Sequence, residues 1–312
     1  MLGYICRMAA ENVEFDAVVS HQSNPRSRHV METPGISHSR LIKHPTGQVT
    51  HCVIDDFTDP WAPSETILIQ HGFARHYAFW YHWVPVLAKK YKVVRRDLRG
   101  HGLSSTPDVD YSLDTILEEI VDTLDQLHLD KVHFLGESTS GMVGEALAAK
   151  YPYRLHSLIT CSSPSYLPQS ALDLFAFGRK DWPTACLELG SRGWGEALSK
   201  VPGTVDATPE YTKWWNDQVA RSKAEGLAGY AKFLSTLDAR PFLPKVAVKT
   251  LILAPSQSAA TKLEEQQWIQ SQIPGAELVV IHAPGHEIYV QEPEKCQQAI
   301  LAFIKKLDRN SA

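Results

Sequence analysis

Phe134-Leu135-Gly136-Glu137-Ser138-Thr139-Ser140-Gly141 is the segment whose residue types and spacing point most directly to chemistry. It follows an apolar, strand-like run and leads into a small-residue stretch, Met142 to Lys150, of helical character. This is the strand, turn, helix setting of a G-x-S-x-G nucleophile turn, with Ser140 in the place of the second glycine. Small residues at 136, 140 and 141 would let the helix close against the strand and hold Ser138 exposed. A serine that merely caps a helix would fit the pentapeptide alone, but its context argues for a nucleophile.

A serine hydroxyl attacks a carbonyl only when a base takes its proton. Among 14 histidines, His286 is the candidate base, because Gly285-His286 comes just after the last strand-like run. A developing oxyanion needs backbone N–H donors already in place. His71-Gly72-Phe73 follows the strand Thr66 to Gln70, so the N–H groups of Phe73 and Thr139 are the expected oxyanion hole. The block Asp97 to Ser104 is expected to be structural, a loop fastened by an arginine and turn glycines.

Positioning these groups requires alternating strands and helices. Arg40 to Lys43 and Val49 to Asp55 predict an opening antiparallel hairpin around Pro45, Thr46 and Gly47. Apolar runs at Thr66 to Gln70, Tyr91 to Arg95, Lys131 to Leu135, Leu155 to Cys161, Val248 to Ala254 and Glu277 to His282 predict buried parallel strands. Between them, Leu113, Ile116, Leu117, Ile120, Val121, Leu124 and Leu127 keep helical spacing, as do Cys296, Ala299, Ile300, Phe303, Ile304 and Leu307 after Pro293. One crossover, from Cys161 to Val248, is far longer than the dozen or so residues that suffice. Its stretches Ala171 to Phe177, Thr184 to Leu189, Trp194 to Lys200, Pro209 to Ala224 and Gly226 to Leu237 predict a helical cap over the carboxyl ends of the strands, where open α/β sheets bind ligands. The expected division is a loose extension over 1–40, an α/β core over 41–165 and 241–312, and a helical cap over 166–240.

Composition narrows the partners. In 312 residues, 31 basic side chains stand against 35 acidic ones, so no net positive field draws nucleic acid or an anionic membrane. A small-molecule substrate is expected, on a monomer or homodimer. The five cysteines, at 6, 52, 161, 186 and 296, form no C-x-x-C pair; they read as reduced and mostly buried, with no metal site. No run of 18 apolar residues predicts a membrane span. The start of the chain lacks the apolar core of a signal peptide, and the expected compartment is the cytoplasm.

His71-Gly72-Phe73, the Asp97 to Ser104 block, Gly136 to Gly141 and Gly285-His286, in that order, make the chain resemble α/β-hydrolases of the branch containing enol-lactonases, meta-cleavage-product hydrolases and related esterases, over about residues 41 to 307. The resemblance implies an eight-stranded, mostly parallel sheet with helices on both faces, a helical lid, a serine nucleophile and no cofactor. The chain departs from that branch at the acid that orients the histidine. Where an aspartate is expected after Leu251-Ile252-Leu253-Ala254, the sequence reads Pro255-Ser256-Gln257-Ser258-Ala259-Ala260. The loop after the preceding strand, Ser162-Ser163-Pro164-Ser165, has no acid either, and Glu264 and Glu265 belong to a predicted helix. Three readings stay open: a Ser-His dyad oriented by Ser258 or water, an acid from an unexpected loop, or altered chemistry such as a lyase, decarboxylase, cyclase or ligand-binding receptor.

Trp182, Trp194, Trp214, Trp215, Tyr211, Tyr230 and Phe233 of the cap, with His76, Tyr77, Phe79 and Trp80 beyond the oxyanion loop, would suit an apolar, ring-containing substrate. The plainer expectation for any one ring is the cap's own core. Arg95, Arg96 and Arg192 could clamp a substrate carboxylate, against the plainer expectation of surface salt bridges.

Overall fold

The computed structural model describes residues 35–106 and 111–311. Eight strands form a single sheet: β1 (Ile36–Lys43), β2 (Val49–Asp56), β3 (Thr66–Gln70), β4 (Lys92–Arg96), β5 (Val132–Glu137), β6 (Leu155–Cys161), β7 (Lys249–Pro255) and β8 (Glu277–Ile281). Their order across the sheet is β1-β2-β4-β3-β5-β6-β7-β8. β2 pairs antiparallel with both neighbours and every other pairing is parallel. The central strands, β3, β5 and β6, are apolar runs buried on both faces, as parallel strands covered by helices must be.

The helices are α1 (Val84–Leu87), α2 (Leu113–Gln126), α3 (Thr139–Lys150), α4 (Gln169–Ala176), α5 (Trp182–Leu198), α6 (Pro209–Val219), α7 (Ala224–Leu234), α8 (Leu263–Gln272), α9 (Ile288–Gln291) and α10 (Pro293–Ser311). Ser112 caps α2 by accepting the Thr115 N–H, and Ile116, Leu117, Ile120 and Leu124 form its buried stripe. On α10 the buried apolar positions are Cys296, Ile300, Phe303 and Ile304. α5 joins two predicted segments into one element, broken internally at Gly190, whose φ of 67° is the left-handed conformation glycine adopts without strain.

α4 to α7 all lie between β6 and β7. The two ends of that segment meet at a neck, where the Ala239 N–H donates to the Ser165 carbonyl at 2.8 Å and Tyr166 forms a bridge with Asp238.

β1 corrects the sequence expectation of a loose extension through residue 40. Ile36–Arg40 already pairs with β2. The strand carries no apolar alternation because it is an edge strand, exposed along nearly its whole length and held by main-chain hydrogen bonds on one side. The remainder of the predicted extension, 1–34, lies outside the described residues, as does Cys6. Among the described residues, no helix is long and apolar enough to cross a membrane.

Candidate active site

β5 delivers Ser138 at the carboxyl edge of the sheet in a backbone conformation, φ 52° and ψ −127°, that side chains with a Cβ rarely adopt. The turn is bolted to β6: the Ser138 N–H donates to the Cys161 carbonyl at 2.8 Å, and Ser163 Oγ donates to the Ser138 carbonyl at 2.7 Å. Small residues are required here. A Cβ on Gly136 would come within 2.7 Å of the Ser140 carbonyl oxygen, and one on Gly141 within 1.9 Å of Ser163 Oγ.

His286 sits in the loop between β8 and α9, and its Nε2 lies 3.0 Å from Ser138 Oγ. The structure thus joins two residues 148 positions apart in sequence. Burial, and then the nearby Arg75 cation, push the His286 pKa down to about 3, so the imidazole is neutral at physiological pH. Its Nδ1 faces two hydroxyls, Ser258 Oγ at 3.1 Å and Thr261 Oγ1 at 3.4 Å. No carboxylate of the described residues is hydrogen-bonded to it. Glu264 is exposed on α8, and Glu265 is turned toward the Ser165 backbone N–H, where burial raises its pKa to about 7.

Phe73 and Thr139 line the same cavity as Ser138 and His286. Neither backbone N–H donates to another described residue; Thr139 is the first residue of α3, where helical N–H groups have no partner within the helix. One of these donors is at a helix start and the other in the loop after β3, and both line the cavity beside the serine. His71 fixes the loop that carries Phe73: its Nδ1 donates to the Gly72 carbonyl at 2.8 Å, and its Nε2 accepts the Leu98 N–H at 3.0 Å. The Asp97 block is structural, as expected, although the carboxylate contributes more than the sequence suggested. Asp97 accepts from His51 Nδ1 at 2.8 Å and from the N–H groups of Tyr77 and Leu103 at 2.6 and 3.0 Å.

A buried charge cluster behind the dyad escaped sequence reasoning. Arg75 donates from Nε and Nη2 to Glu287 Oε1 at 2.9 and 2.5 Å, and from Nη1 to the Phe73 carbonyl at 2.8 Å. Its Nε is also 3.7 Å from Glu137 Oε1. Glu137 in turn accepts the Gly72 N–H at 2.5 Å. These two carboxylates neighbour Ser138 and His286 in sequence, so one guanidinium ties together the oxyanion loop, the nucleophile turn and the histidine loop. Burial raises the Glu137 pKa despite Arg75, whereas the two glutamates hold Arg75 firmly protonated. The available signal was a charged residue beside each reactive one, which reads as solvated loop until the fold buries it.

Phe73, Phe175, Trp182, Trp194 and Leu198 wall the cavity. Its room for the centres of water-sized atoms is about 40 Å³, well below the 300 Å³ or more usual for a ligand pocket. Two of the predicted cap aromatics, Trp182 and Trp194, line it. Trp214 instead packs on Phe79, and Tyr230 on His101. The three candidate carboxylate clamps lie elsewhere: Arg95 pairs with Asp55 at 2.8 Å, Arg96 bonds Gln70 at 2.9 Å, and Arg192 pairs with Asp217 at 2.8 Å. Arg95 and Arg96 are buried in the sheet rather than on the surface because Asp55 and Gln70 satisfy them there. Among the described residues, no three His, Cys, Asp or Glu side chains are grouped to hold a metal ion.

The sequence model of the alpha/beta hydrolase fold matches residues 65–293. The chain is 25% identical to 3-oxoadipate enol-lactonase 2 of Acinetobacter baylyi, over 79% of this chain and 91% of that one. It is 24% identical to the Karrikin insensitive 2 receptor IA of Petunia hybrida, over 77% of this chain and 90% of that one. Among solved structures, the enol-lactonase from Burkholderia xenovorans LB400 superposes with a TM-score of 0.75 at 20% identity, covering 83% of this chain and 97% of that one.

Proposed function

The chain belongs to the alpha/beta hydrolase fold family, and on that premise we propose that it is a serine-dependent hydrolase of a small, largely apolar ester or lactone. The observation that carries the reading is the 3.0 Å contact between Ser138 Oγ and His286 Nε2, made beside two unengaged backbone N–H donors in one cavity. In this reading His286, carrying its proton on Nδ1, receives the Ser138 proton through Nε2 while Oγ bonds to the substrate carbonyl carbon. The carbonyl oxygen gains charge facing the N–H groups of Phe73 and Thr139. His286 then returns the proton to the departing oxygen, and a water repeats the sequence to free the acid. No step calls for a cofactor.

The helices over 166–240 act as the cap. With the cavity so small, substrate enters when they move, and the rings of Phe175, Trp182 and Trp194 favour an apolar acyl or ring group. A substrate carboxylate is disfavoured, since the cation on the wall, Arg75, already faces two carboxylates, Glu287 and Glu137. Cys52, Cys161, Cys186 and Cys296 are buried and unpaired, which favours a reducing compartment such as the cytoplasm.

One observation favours a second reading, a slow ligand-binding receptor or a non-hydrolytic relay: hydroxyls, not a carboxylate, face His286 Nδ1. Short p-nitrophenyl esters and simple aryl lactones, given to the wild type and to Ser138→Ala, decide between the two. Serine-dependent turnover supports the hydrolase. Ligand-induced thermal stabilisation without product supports the receptor.

A further inference from the structure

Ser258 Oγ is the atom on which the state of His286 turns. A hydroxyl oxygen has two lone pairs and one hydrogen. The backbone N–H groups of Ala260 and Thr261 point at Ser258 Oγ from 3.2 and 3.1 Å. An amide N–H can only donate, so the two amides suffice to occupy both lone pairs, and the Thr261 hydroxyl, also 3.2 Å away, competes for the same oxygen. What Ser258 has left to give is its hydrogen, and His286 Nδ1 stands 3.1 Å from it. A neutral imidazole that accepts at Nδ1 carries its proton at Nε2, the nitrogen that faces Ser138.

We propose that Ser258 is a positioning residue that holds His286 in the Nε2–H tautomer at rest, so that the dyad donates a proton to Ser138 Oγ and must exchange tautomers before it can accept one. The inference rests on the serine-hydrolase reading and specifies how that chemistry is throttled. A carboxylate only accepts, and so fixes the Nδ1–H form; a hydroxyl saturated by amide donors fixes the other. Exchange conserves protons and charge: water removes the proton at Nε2 and supplies one at Nδ1. The new N–H must then find Thr261 Oγ1, 3.4 Å away, or displace an amide from Ser258. At rest burial keeps His286 neutral, so the resting choice lies between the two neutral forms. In a serine protease, replacing the orienting carboxylate by a donor leaves the geometry intact and costs about 10⁴-fold in turnover through the wrong tautomer.

Nitrogen-15 NMR of the full-length protein labelled at histidine reads the tautomer directly, with the His286→Gln spectrum identifying the signal. An unprotonated Nδ1 is expected; a protonated one overturns the proposal. Ser258→Asp places acceptors where both the amides and Nδ1–H can use them. It is expected to move the proton to Nδ1 and raise kcat by about 10²-fold or more with little change in KM, out of the roughly 10⁴-fold at stake. Ser258→Ala removes the donor without adding charge and is expected to raise kcat, by less than Ser258→Asp; an unchanged or lower kcat would overturn the proposal. If wild-type Nδ1 is bare and Ser258→Asp folds without gain, the throttle is refuted while Ser138 dependence, read separately in Ser138→Ala, still decides the hydrolase.

Discussion

The carboxylate of Glu287 accepts the indole N–H of Trp215 at 2.8 Å, and this bond joins the residue next to His286 to the middle of the inserted helix α6. Tyr211, one turn earlier on the same helix, donates its hydroxyl to the other oxygen of Glu287 at 2.9 Å. With Arg75 on its remaining side, Glu287 is buried yet fully engaged. The placement of the histidine and the seating of α6 therefore depend on one side chain.

Glu287→Gln tests that dependence. The amide keeps one acceptor but presents N–H groups to donors, and it leaves Arg75 short of its counter-charge. Breaking a buried ion pair by removing one partner costs about 3–5 kcal/mol, so a loss of that order is expected in denaturant titration, with turnover falling as His286 is released. Trp215→Phe removes one donor among several and should cost about 1–2 kcal/mol. A Glu287→Gln protein as stable as wild type would refute the tether.

Arg75→Met should be the more damaging change, because it strands two carboxylates, Glu137 and Glu287, in the interior. Arg75→Lys should rescue little. An ammonium cannot reproduce the fork that reaches Glu287 and the Phe73 carbonyl together. Thermal melts of the two variants, both well below wild type, are the expected result.

Ser138→Gly should abolish turnover and stabilise the fold. The φ of 52° and ψ of −127° at Ser138 store strain on the order of 1–3 kcal/mol, which glycine relieves in part while loosening the unfolded chain. A midpoint shift worth about 1 kcal/mol above Ser138→Ala, which keeps the Cβ, is the outcome to look for.

Stability should fall sharply in acid. Burial pushes the pKa of His71 and His286 to about 3 and of His76 and His101 to about 4. Above pH 6.5 both folded and unfolded forms hold these rings neutral and the full stability is present. As pH falls from 6.5 toward 3, only the unfolded chain takes up the protons, and each histidine contributes a loss of up to about 1.4 kcal/mol per pH unit. Glu137, Glu145 and Glu265 act oppositely. Burial raises their folded pKa, so their stabilising effect is present below about 4.5 and lost as pH rises. Between pH 4.5 and 6.5 the two effects oppose one another; below 4.5 only the histidine loss remains, and the steep limb lies there. Glu265→Gln, at a site where the pKa reaches about 7, should gain stability on wild type as pH rises from 4.5 to 7, by less than about 3 kcal/mol given its partial exposure. A flat difference across that range would remove Glu265 from the account.

The sheet, the serine turn and the histidine were legible because each rests on a local rule. Thr66–Gln70 and Leu155–Cys161 coincide with their predicted strands, since buried parallel strands are continuous apolar runs. β1 was half missed because an edge strand needs no apolar face. Trp194, which walls the cavity, and Trp215, which bonds Glu287, look alike in sequence; only their tertiary surroundings separate them. Arg75, Glu137 and Glu287 were invisible for a different reason. A charge becomes structural only when long-range folding brings it a partner, and Arg75 and Glu287 are 212 residues apart.

The neck at Ser165 and Ala239 carries its own consequence. A segment that leaves and rejoins the scaffold through one narrow neck can be lengthened, trimmed or exchanged without altering the order of any strand. Ser138, Phe73 and Thr139 sit on the scaffold side of that junction, and Phe175, Trp182 and Trp194 on the other. On the proposed hydrolase reading, the group that attacks a carbonyl and most of the walls that select it belong to separable parts of one chain.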